Sequence, residues 1–204
     1  MLLYYITDRT QFASDEASRR GALLGKIMEA SRAGVDLIQL REKDLNPREL
    51  ETLTRDAVRT VRENSSRTRL LINSRTDVAI ACGADGVHLR SEDILPGEVR
   101  AAWKQATPVI SVSCHSPAEV ARAAAEGADV AIFAPVFEKQ GSSAGGLGGL
   151  RTACEHPIKV LALGGVTLEN ARACIEAGAE GVAGIRLFQE NDVARVVEAL
   201  RRNG

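Results

Sequence analysis

The chain has few aromatic residues and no excess of positive charge. Aromatic residues make up 3% of its 204 residues, and the formal net charge is −1. Proteins that hold nucleic acid usually display a basic surface, and those that bind single strands add stacked aromatic side chains. Because the sequence offers neither feature, we expect no nucleic-acid partner.

Long hydrophobic runs are also missing. No apolar stretch of the sequence approaches the roughly 20 residues that a helix needs to cross a bilayer. The segment Met1–Ile6 contains no basic residue, so it lacks the positively charged region of a secretory signal. We therefore expect no membrane contact and a cytoplasmic location.

The four cysteines show no metal-binding spacing. Cys82, Cys114, Cys154 and Cys174 include no Cys-x-x-Cys pair, and the chain has only three histidines. Structural zinc sites usually take their ligands from closely spaced cysteines and histidines. We expect reduced thiols that pack as small apolar side chains.

The sequence contains instead a short repeated phrase, present in four copies. In each copy, a glycine follows a helical pattern and precedes a short apolar run. The four copies are Ala33–Ile38, Cys82–Val87, Glu126–Ala131 and Ala177–Val182. Glycine suits the position after a helix because it accepts a positive φ without a Cβ clash. The copies recur at intervals of about 50 residues, which is too long for one strand–helix unit and right for two. The repeat therefore marks alternate strands of a closed ring.

Eight runs have the length and apolar character of buried strands. They are Leu2–Thr7, Val35–Arg41, Arg69–Ile72, Gly86–Leu89, Pro108–Val112, Val130–Phe133, Lys159–Leu163 and Gly181–Gly184. Helical patterns separate the runs. The clearest are Pro117–Glu126 with Ser116 as its N-cap, Leu168–Ala177 capped by Thr167, and Asp192–Arg202 with one apolar face.

This alternation predicts an α/β fold, a single (β/α)8 TIM barrel, with residues 1–204 forming one domain. The alternative is a doubly wound open sheet. It is disfavoured because no Gly-x-Gly-x-x-Gly phosphate loop follows the first strand and because the repeat continues evenly to the last strand. The glycine-rich stretch Gly141–Gly149 lies within one connection and is predicted to be a mobile loop.

Sites in such barrels form where the strands end. The second predicted strand runs into Gln39, Arg41 and Lys43, which alternate along the chain and so share one face if the chain stays extended. Two cations and an amide suit a polyanion beside a hydrogen-bonding ring. The alternative for these residues is a charged loop in solvent.

The seventh and eighth strands predict a phosphate pocket. Gly164 and Gly165 follow the seventh strand, and Ile185 and Arg186 follow the eighth. In phosphate-binding barrels, these two loops offer backbone N–H groups to the anion, and paired glycines let the backbone approach closely.

Other strand ends carry weaker signals. Asp93, or else Glu92, is the nearest candidate for a Mg²⁺ ligand, although both also suit the start of a helix. We expect His88 to be a hydrogen-bonded core histidine and His115 to be mainly structural. Ser113 is well placed to donate to a ligand.

Taken together, these motifs resemble the thiamine phosphate synthase family, which includes the related thiazole tautomerases. The matching motifs follow one another over nearly the whole chain. They are Tyr5–Arg9, Gln39–Lys43, Asn73-x-Arg75, Gly83–Leu89, Val112–Ser116, Pro135–Phe137 and Leu163–Val166.

The resemblance implies a transferase of thiamine biosynthesis that couples hydroxymethylpyrimidine diphosphate to thiazole phosphate, releases pyrophosphate and requires Mg²⁺. It implies a dissociative mechanism, in which stabilising the charge of the leaving group matters more than a general base. The alternatives are a non-catalytic or regulatory barrel that binds thiamine precursors, and a thiazole tautomerase. We expect small-molecule substrates as partners, and a homo-oligomer is left open.

The resemblance also assigns roles to residues. Arg41, Lys43 and Ser113 would be catalytic, and Asp93 would hold Mg²⁺. The substrate-binding residues would be Gln39, Leu40, Arg41, Glu42, Lys43, Asn73, Ser113, Lys139, Gly165, Ile185 and Arg186.

The sequence departs from the family pattern at three places. Ser74 stands where the pattern has an aspartate that binds Mg²⁺. The threonines of the loop after the sixth strand are absent, so that only Lys139 could act there, and Arg186 replaces a serine. In addition, Pro135 occupies the position of the tautomerase histidine, which disfavours that activity.

Overall fold

The computed structural model is a closed barrel of eight parallel strands, and it describes residues 1–12, 15–104, 107–137 and 145–202. The strands are β1 (Leu2–Ile6), β2 (Leu37–Leu40), β3 (Arg69–Asn73), β4 (Gly86–Leu89), β5 (Val109–Cys114), β6 (Val130–Phe133), β7 (Lys159–Ala162) and β8 (Gly181–Gly184). Each strand pairs with the next, and β8 pairs with β1. The predicted (β/α)8 barrel is confirmed, and the strand boundaries agree with the prediction to within two residues.

Helices alternate with the strands and cover the outside of the barrel. They are α1 (Glu16–Ala33), α2 (Pro47–Asn64), α3 (Thr76–Cys82), α4 (Pro96–Ala102), α5 (Pro117–Ala125), α6 (Gly146–Ala153), α7 (Ala171–Glu176), α8 (Arg186–Gln189) and α9 (Val193–Arg202). A short 3₁₀ turn spans Arg9–Gln11. None of the described helices combines the length and the apolar character that a membrane crossing needs.

Local sequence explains where several helices begin and end. Before α2, the Asn46 side chain accepts from the Glu49 N–H at 3.0 Å, and the Glu49 carboxylate accepts from the Asn46 N–H at 3.3 Å; this is a capping box. Ser116 caps α5 as predicted, by accepting from the Glu119 N–H. In the four repeated phrases, the glycines that follow the helical pattern have φ between 69° and 106°, as a position after a helix requires. They are Gly34, Gly83, Gly127 and Gly178.

Two predicted elements are corrected. Helix α7 begins at Ala171 and not at Leu168, because the Asn170 side chain instead accepts from the Thr167 N–H at 2.8 Å and donates to the Gly165 carbonyl at 2.9 Å, closing a turn. The end of the glycine-rich stretch is helical from the start of α6, whereas residues 141–144 lie outside the described residues.

Helix α6 uses its small residues to approach the barrel closely. A Cβ added at Gly145, directly before the helix, would lie 2.9 Å from Phe133 Cζ, and one at Gly149 would lie 3.3 Å from it. Larger side chains would hold the helix away from β6. The glycines therefore serve packing here, which a loop interpretation of the sequence overlooked.

The core has two parts, one inside the barrel and one beneath the helices. The interior part is formed by alternate strand residues, namely Tyr4, Ile6, Leu37, Leu71, Val130, Ile132, Leu161 and Ala183. Since successive side chains of a strand point to opposite faces, the inward position of Leu37 sends Gln39 into the barrel as well and turns Leu40 towards the helices. The register of each strand thus decides which polar side chains reach the mouth of the barrel.

Candidate active site

A cluster of positive charge lies at the mouth where β2 ends. Arg41 is half-buried and Lys43 is exposed. The charge of Arg41, partial burial and the charge of Arg90 lower the pKa of Lys43, and the opposing attraction of Asp8 is too weak to cancel them. Neither Arg41 nor Lys43 forms an ion pair within the described part of the chain. Because the two cations repel each other, a polyanion bound between them would stabilise this arrangement.

Leu40 and Glu42, which lie between these residues, do not present their side chains to the mouth. The Leu40 side chain is 1% exposed and belongs to the core beneath the helices. The Glu42 side chain is also buried and turned towards β1. Both side chains turn away from the side where Gln39 points, so a substrate contact of Leu40 or Glu42 would have to be made by the backbone. Their assignment as substrate-binding residues stays a prediction.

Glu42 instead joins the ends of β1 and β2. Its carboxylate accepts from the Thr7 hydroxyl at 2.6 Å, from the Arg9 backbone N–H at 3.0 Å and from Arg9 Nη1 at 3.2 Å. Thr7 Oγ1 in turn accepts from the Arg41 backbone N–H at 3.0 Å. Through Thr7, the buried Glu42 carboxylate thus fixes the backbone of Arg41, whose guanidinium is one of the two cations at the mouth.

Arg9 completes this connection. Its guanidinium donates to both oxygens of Asp44, at 2.6 and 2.9 Å, and to Glu16 at 2.9 Å. The hydrogen bonds to Asp44 are the largest cause that raises the pKa of Arg9. Sequence reasoning placed Arg9 in a family motif but gave it no role. A buried arginine surrounded by acids from distant segments is a tertiary feature, and the only signal in the sequence was membership of that motif.

Gln39 lies inside the mouth with one polar atom unused. Its Nε2 donates to Asn73 Oδ1 at 2.8 Å. Its Oε1 is buried and has no hydrogen-bond partner among the described residues. A buried acceptor without a partner costs about 1–3 kcal/mol, so a ligand that brings an N–H or O–H donor to this point would recover that free energy. Gln39 and Asn73 are thus brought together as predicted.

A line of four polar side chains runs up the barrel interior to the mouth. Tyr4 Oη lies 3.0 Å from Ser111 Oγ, Ser111 Oγ lies 2.9 Å from His88 Nδ1, and His88 Nε2 lies 2.8 Å from Ser113 Oγ. Burial, followed by the charge of Arg41, lowers the pKa of His88 to about 4. The ring is therefore neutral at pH 7. The expectation of a hydrogen-bonded core histidine is confirmed, while Tyr4 and Ser111 had not been identified from the sequence.

The carboxylate predicted to bind metal already has protein partners. Asp93 accepts from the Arg90 backbone N–H at 2.8 Å and from its side chain at 2.9 and 3.2 Å. Burial acts to raise the pKa of Asp93, but hydrogen bonds from Arg90 and Ser74 outweigh it and hold that pKa below its usual range. Among the described residues, no three His, Cys, Asp or Glu side chains form a cluster that could hold a metal ion. Within the described residues, Asp93 is thus not part of a cluster that would hold a metal ion by protein side chains alone.

The loops after β7 and β8 enclose a cavity of about 410 Å³. Gly165, Ile185 and Arg186 all line it, together with the carboxylates of Glu169 and Glu190. The predicted phosphate-binding residues are therefore neighbours around one concave surface. Arg186 is the one cation among the residues that line this cavity, so it would have to balance both a phosphate and the nearby acids.

The glycine pair beside this cavity is required by packing as well as by conformation. Gly164 and Gly165 have φ values of 95° and 68°, which residues with a side chain rarely adopt. A Cβ on Gly164 would lie 2.8 Å from Pro135 Cα, and one on Gly165 would lie 2.8 Å from Phe137 Cβ. The pair thus fits beneath the loop after β6 and also leaves its backbone open to the cavity.

His115 and Lys139 were also given roles by the sequence analysis. His115 Nδ1 lies 2.7 Å from the Ala134 carbonyl oxygen, which agrees with a mainly structural role. Lys139 lies outside the described residues, so its assignment remains a prediction.

Comparison with known proteins places this barrel in a family. The family model described as thiamine monophosphate synthase matches residues 3–188. The chain belongs to this family. Its relatives include a putative thiamine-phosphate synthase 2 of Aquifex aeolicus, 37% identical over 92% of this chain and 97% of that protein. A thiamine-phosphate synthase of Methanoculleus marisnigri is 36% identical over 98% of this chain and 93% of its own length.

Comparison with solved structures supports the assignment of this chain to the thiamine monophosphate synthase family. Thiamine phosphate pyrophosphorylase from Pyrococcus furiosus superimposes with a TM-score of 0.83 at 30% identity, covering 99% of this chain and 94% of that one. A 3-hexulose-6-phosphate synthase superimposes with a TM-score of 0.73 at 20% identity over 100% of this chain and 99% of its own, which shows a shared fold alone. The family is one of transferases, so the enzyme class inferred from the sequence is confirmed.

The buried carboxylate beneath the mouth leads to a first prediction. We expect Glu42→Ala to lower the free energy of unfolding by about 3 kcal/mol, because it leaves Thr7 and part of the Arg9 guanidinium buried without an acceptor. Urea denaturation followed by circular dichroism measures this loss.

Glu16→Ala is the matched control, since Glu16 also pairs with Arg9 but its side chain is 43% exposed. Its loss should stay below about 1 kcal/mol. Equal losses for the two variants would show that the Glu42 carboxylate does not anchor the mouth.

Proposed function

We propose that this chain is a thiamine phosphate synthase, which joins a hydroxymethylpyrimidine diphosphate to a thiazole phosphate and releases pyrophosphate. The observation that carries the proposal is the presence, at one barrel mouth, of two different regions whose residues suit an anion. Arg41 and Lys43 form the first, beside the unused acceptor of Gln39. The cavity lined by Gly165 and Arg186 forms the second.

The first region suits a diphosphate attached to a ring with donor groups. Arg41 and Lys43 supply positive charge for the diphosphate, and Gln39 Oε1 supplies an acceptor for an amino group on the ring. When the bond between the ring methylene carbon and the diphosphate oxygen breaks, the electron pair leaves with pyrophosphate. Cations already fixed at that place stabilise the developing charge.

The second region would hold the thiazole phosphate so that its ring nitrogen faces the first region. That nitrogen donates its electron pair to the methylene carbon, forming the new carbon–nitrogen bond. The step needs no proton removal from the thiazole nitrogen. This agrees with His88, whose lowered pKa leaves it neutral and whose two ring nitrogens are engaged by serines.

The decisive experiment is to mix both substrates with the protein and Mg²⁺ and to measure thiamine phosphate and pyrophosphate. Equal amounts of the two products are expected. Arg41→Ala should lower kcat/KM at least about 100-fold, which corresponds to losing a charge-assisted contact to the leaving group. Arg59→Ala removes an exposed arginine of α2 and should leave the rate unchanged.

Binding of both substrates without turnover would favour the alternative of a non-catalytic barrel that binds thiamine precursors. Failure to bind either substrate would reject both proposals.

Arg186 provides a separate prediction for the second region. Arg186→Ser should weaken binding of the thiazole phosphate about tenfold, because it removes the one cation among the residues that line this cavity. Isothermal titration calorimetry measures the affinity. Arg172→Ser, which removes an arginine that is 72% exposed on α7, is the control and should bind as the unchanged protein does. An unaltered affinity in Arg186→Ser would show that this side chain does not contact the phosphate.

Mg²⁺ is proposed to bind at Asp93 together with the diphosphate. The donor set fits an ion that takes one carboxylate from the protein and its other ligands from phosphate oxygens and water. Ser74, whose hydroxyl contributes to lowering the pKa of Asp93, would support that carboxylate. When bound, Mg²⁺ would neutralise charge on the diphosphate, and Arg90, which pairs with Asp93, would add positive charge beside it.

Ser74 allows a direct test of this metal proposal. Its φ of 59° lies in the left-handed region, which asparagine and aspartate tolerate better than most residues. Ser74→Asp should therefore fold normally and should lower the Mg²⁺ concentration needed for half-maximal pyrophosphate binding, because it adds a second carboxylate.

Ser74→Asn has the same shape without the charge and should leave the Mg²⁺ requirement close to that of the unchanged protein. Calorimetric titration of pyrophosphate at several Mg²⁺ concentrations distinguishes the variants. Identical Mg²⁺ dependence in Ser74→Asp and Ser74→Asn would show that the metal is not held at this place.

A further inference from the structure

We infer that Ser113 presents a hydrogen-bond donor, and not an acceptor, to the ligand in the barrel mouth, and that Tyr4, Ser111 and His88 are the positioning residues that impose this polarity. The inference rests on the proposed function only for the identity of the ligand. It follows from counting hydrogens along the line of side chains that ends at the mouth.

The count starts at the buried end. Tyr4 is completely buried, and within the described part of the chain its hydroxyl has Ser111 Oγ as its single hydrogen-bond partner, at 3.0 Å. If Tyr4 accepted from Ser111, its own hydrogen would have no acceptor. A stranded buried O–H is disfavoured by about tenfold or more. Tyr4 therefore donates to Ser111.

The next hydrogen bond joins Ser111 to the His88 imidazole. Ser111 is also completely buried, and its only other partner in the described structure is His88 Nδ1 at 2.9 Å. Because Ser111 already accepts from Tyr4, its own hydrogen is satisfied only by donation to Nδ1. A neutral imidazole carries one hydrogen, so that hydrogen lies on Nε2.

The last link sets the behaviour of Ser113. His88 Nε2 is 2.8 Å from Ser113 Oγ, and with its hydrogen on Nε2 it donates to that oxygen. The Ser113 hydroxyl hydrogen must therefore point away from His88. Ser113 is half-buried at the end of β5, so its free side is the mouth of the barrel.

This arrangement restricts what Ser113 can recognise. Its hydroxyl is ready to donate to a phosphate oxygen or to an unprotonated ring nitrogen, and it is poorly arranged to accept from an amino group. Each donor in the line polarises the next one, which strengthens the final donation. Gln39 offers the opposite polarity, since its buried Oε1 is an unused acceptor. The two residues together would distinguish the acceptor and donor atoms of a ligand.

The first test measures the tautomer of His88 and requires no catalysis. Long-range ¹H–¹⁵N spectra at pH 7 report which ring nitrogen carries hydrogen, and the chain has only three histidines. His115→Gln and His156→Gln assign the remaining signals to His88. We expect hydrogen on Nε2. Hydrogen on Nδ1 would overturn the inference, because Ser113 would then donate to His88 and offer only lone pairs to the mouth.

The second test asks whether a ligand receives the Ser113 hydrogen. Inorganic pyrophosphate is the probe, in calorimetry and in the same spectra. We expect Ser113→Ala to weaken pyrophosphate binding about tenfold and to abolish the change that pyrophosphate causes at His88 Nε2. Ser113→Thr keeps the hydroxyl and should restore both. Equal affinity in Ser113→Ala and the unchanged protein would overturn the inference.

Tyr5→Phe is the matched control for the buried end of the line. Tyr5 is as buried as Tyr4, but its hydroxyl donates to Gln189 at 3.0 Å and lies outside the line. Tyr4→Phe should shift the His88 ring-nitrogen signals and weaken pyrophosphate binding two- to threefold, whereas Tyr5→Phe should change neither. Identical His88 spectra in Tyr4→Phe and the unchanged protein would contradict the positioning role.

The outcomes separate this inference from the proposed function. A protein with hydrogen on Nε2 and a Ser113-dependent pyrophosphate response, but without formation of thiamine phosphate, would support the inference and reject only the synthase activity. A synthase with hydrogen on Nδ1 would do the reverse.

Discussion

Closure of the parallel sheet is the constraint on which the other features depend. Once eight strands pair in a ring, every strand must send alternate side chains inward, and all the strands must end at the same rim. Residues that are far apart in the chain, such as Tyr4, His88 and Ser111, then become neighbours. The barrel interior below the mouth is apolar, so the polar side chains that enter it have to satisfy one another.

The mouth combines unneutralised cations with a buried polar framework that holds them. Arg41 and Lys43 repel each other, and such an arrangement stays in place only if the backbone beneath it is fixed. The hydrogen bonds that the Thr7 hydroxyl donates to Glu42 and accepts from the Arg41 N–H provide that fixation. Arg41 and Lys43, which carry charge for binding, thus flank Glu42, whose charge serves folding and whose side chain turns towards β1.

The departures of this chain from the pattern of its family fall where charge is handled. A serine replaces one carboxylate at position 74, and the remaining carboxylate, Asp93, is held by Arg90. At the opposite side of the mouth, Arg186 adds a positive charge to a cavity that also contains Glu169 and Glu190. Each change shifts the balance towards positive charge carried by the protein itself.

By itself, the sequence determined the fold and the strand ends at which the site residues lie. The repeated glycine phrases and the eight apolar runs identified the closed barrel, because helix ends and buried strands are governed by local rules of conformation and periodicity. The same rules indicated that residues after β2, β7 and β8 would gather at one rim. They did not show that the Glu42 side chain turns to Thr7 and Arg9, or that glycines after β6 begin α6 against Phe133.

Only the tertiary structure decided which polar groups satisfy one another. Thr7 and Arg9, the partners of Glu42, lie more than 30 residues from it in the chain. The line from Tyr4 to Ser113 draws on three strands. Hydrogen-bond partners at such separations depend on strand register and on the closure of the ring, and no local pattern encodes them. That is why the sequence could name Arg41, Lys43 and Gln39 as candidates for binding, whereas the buried groups that position and polarise the site were recognised only when the strands were brought together.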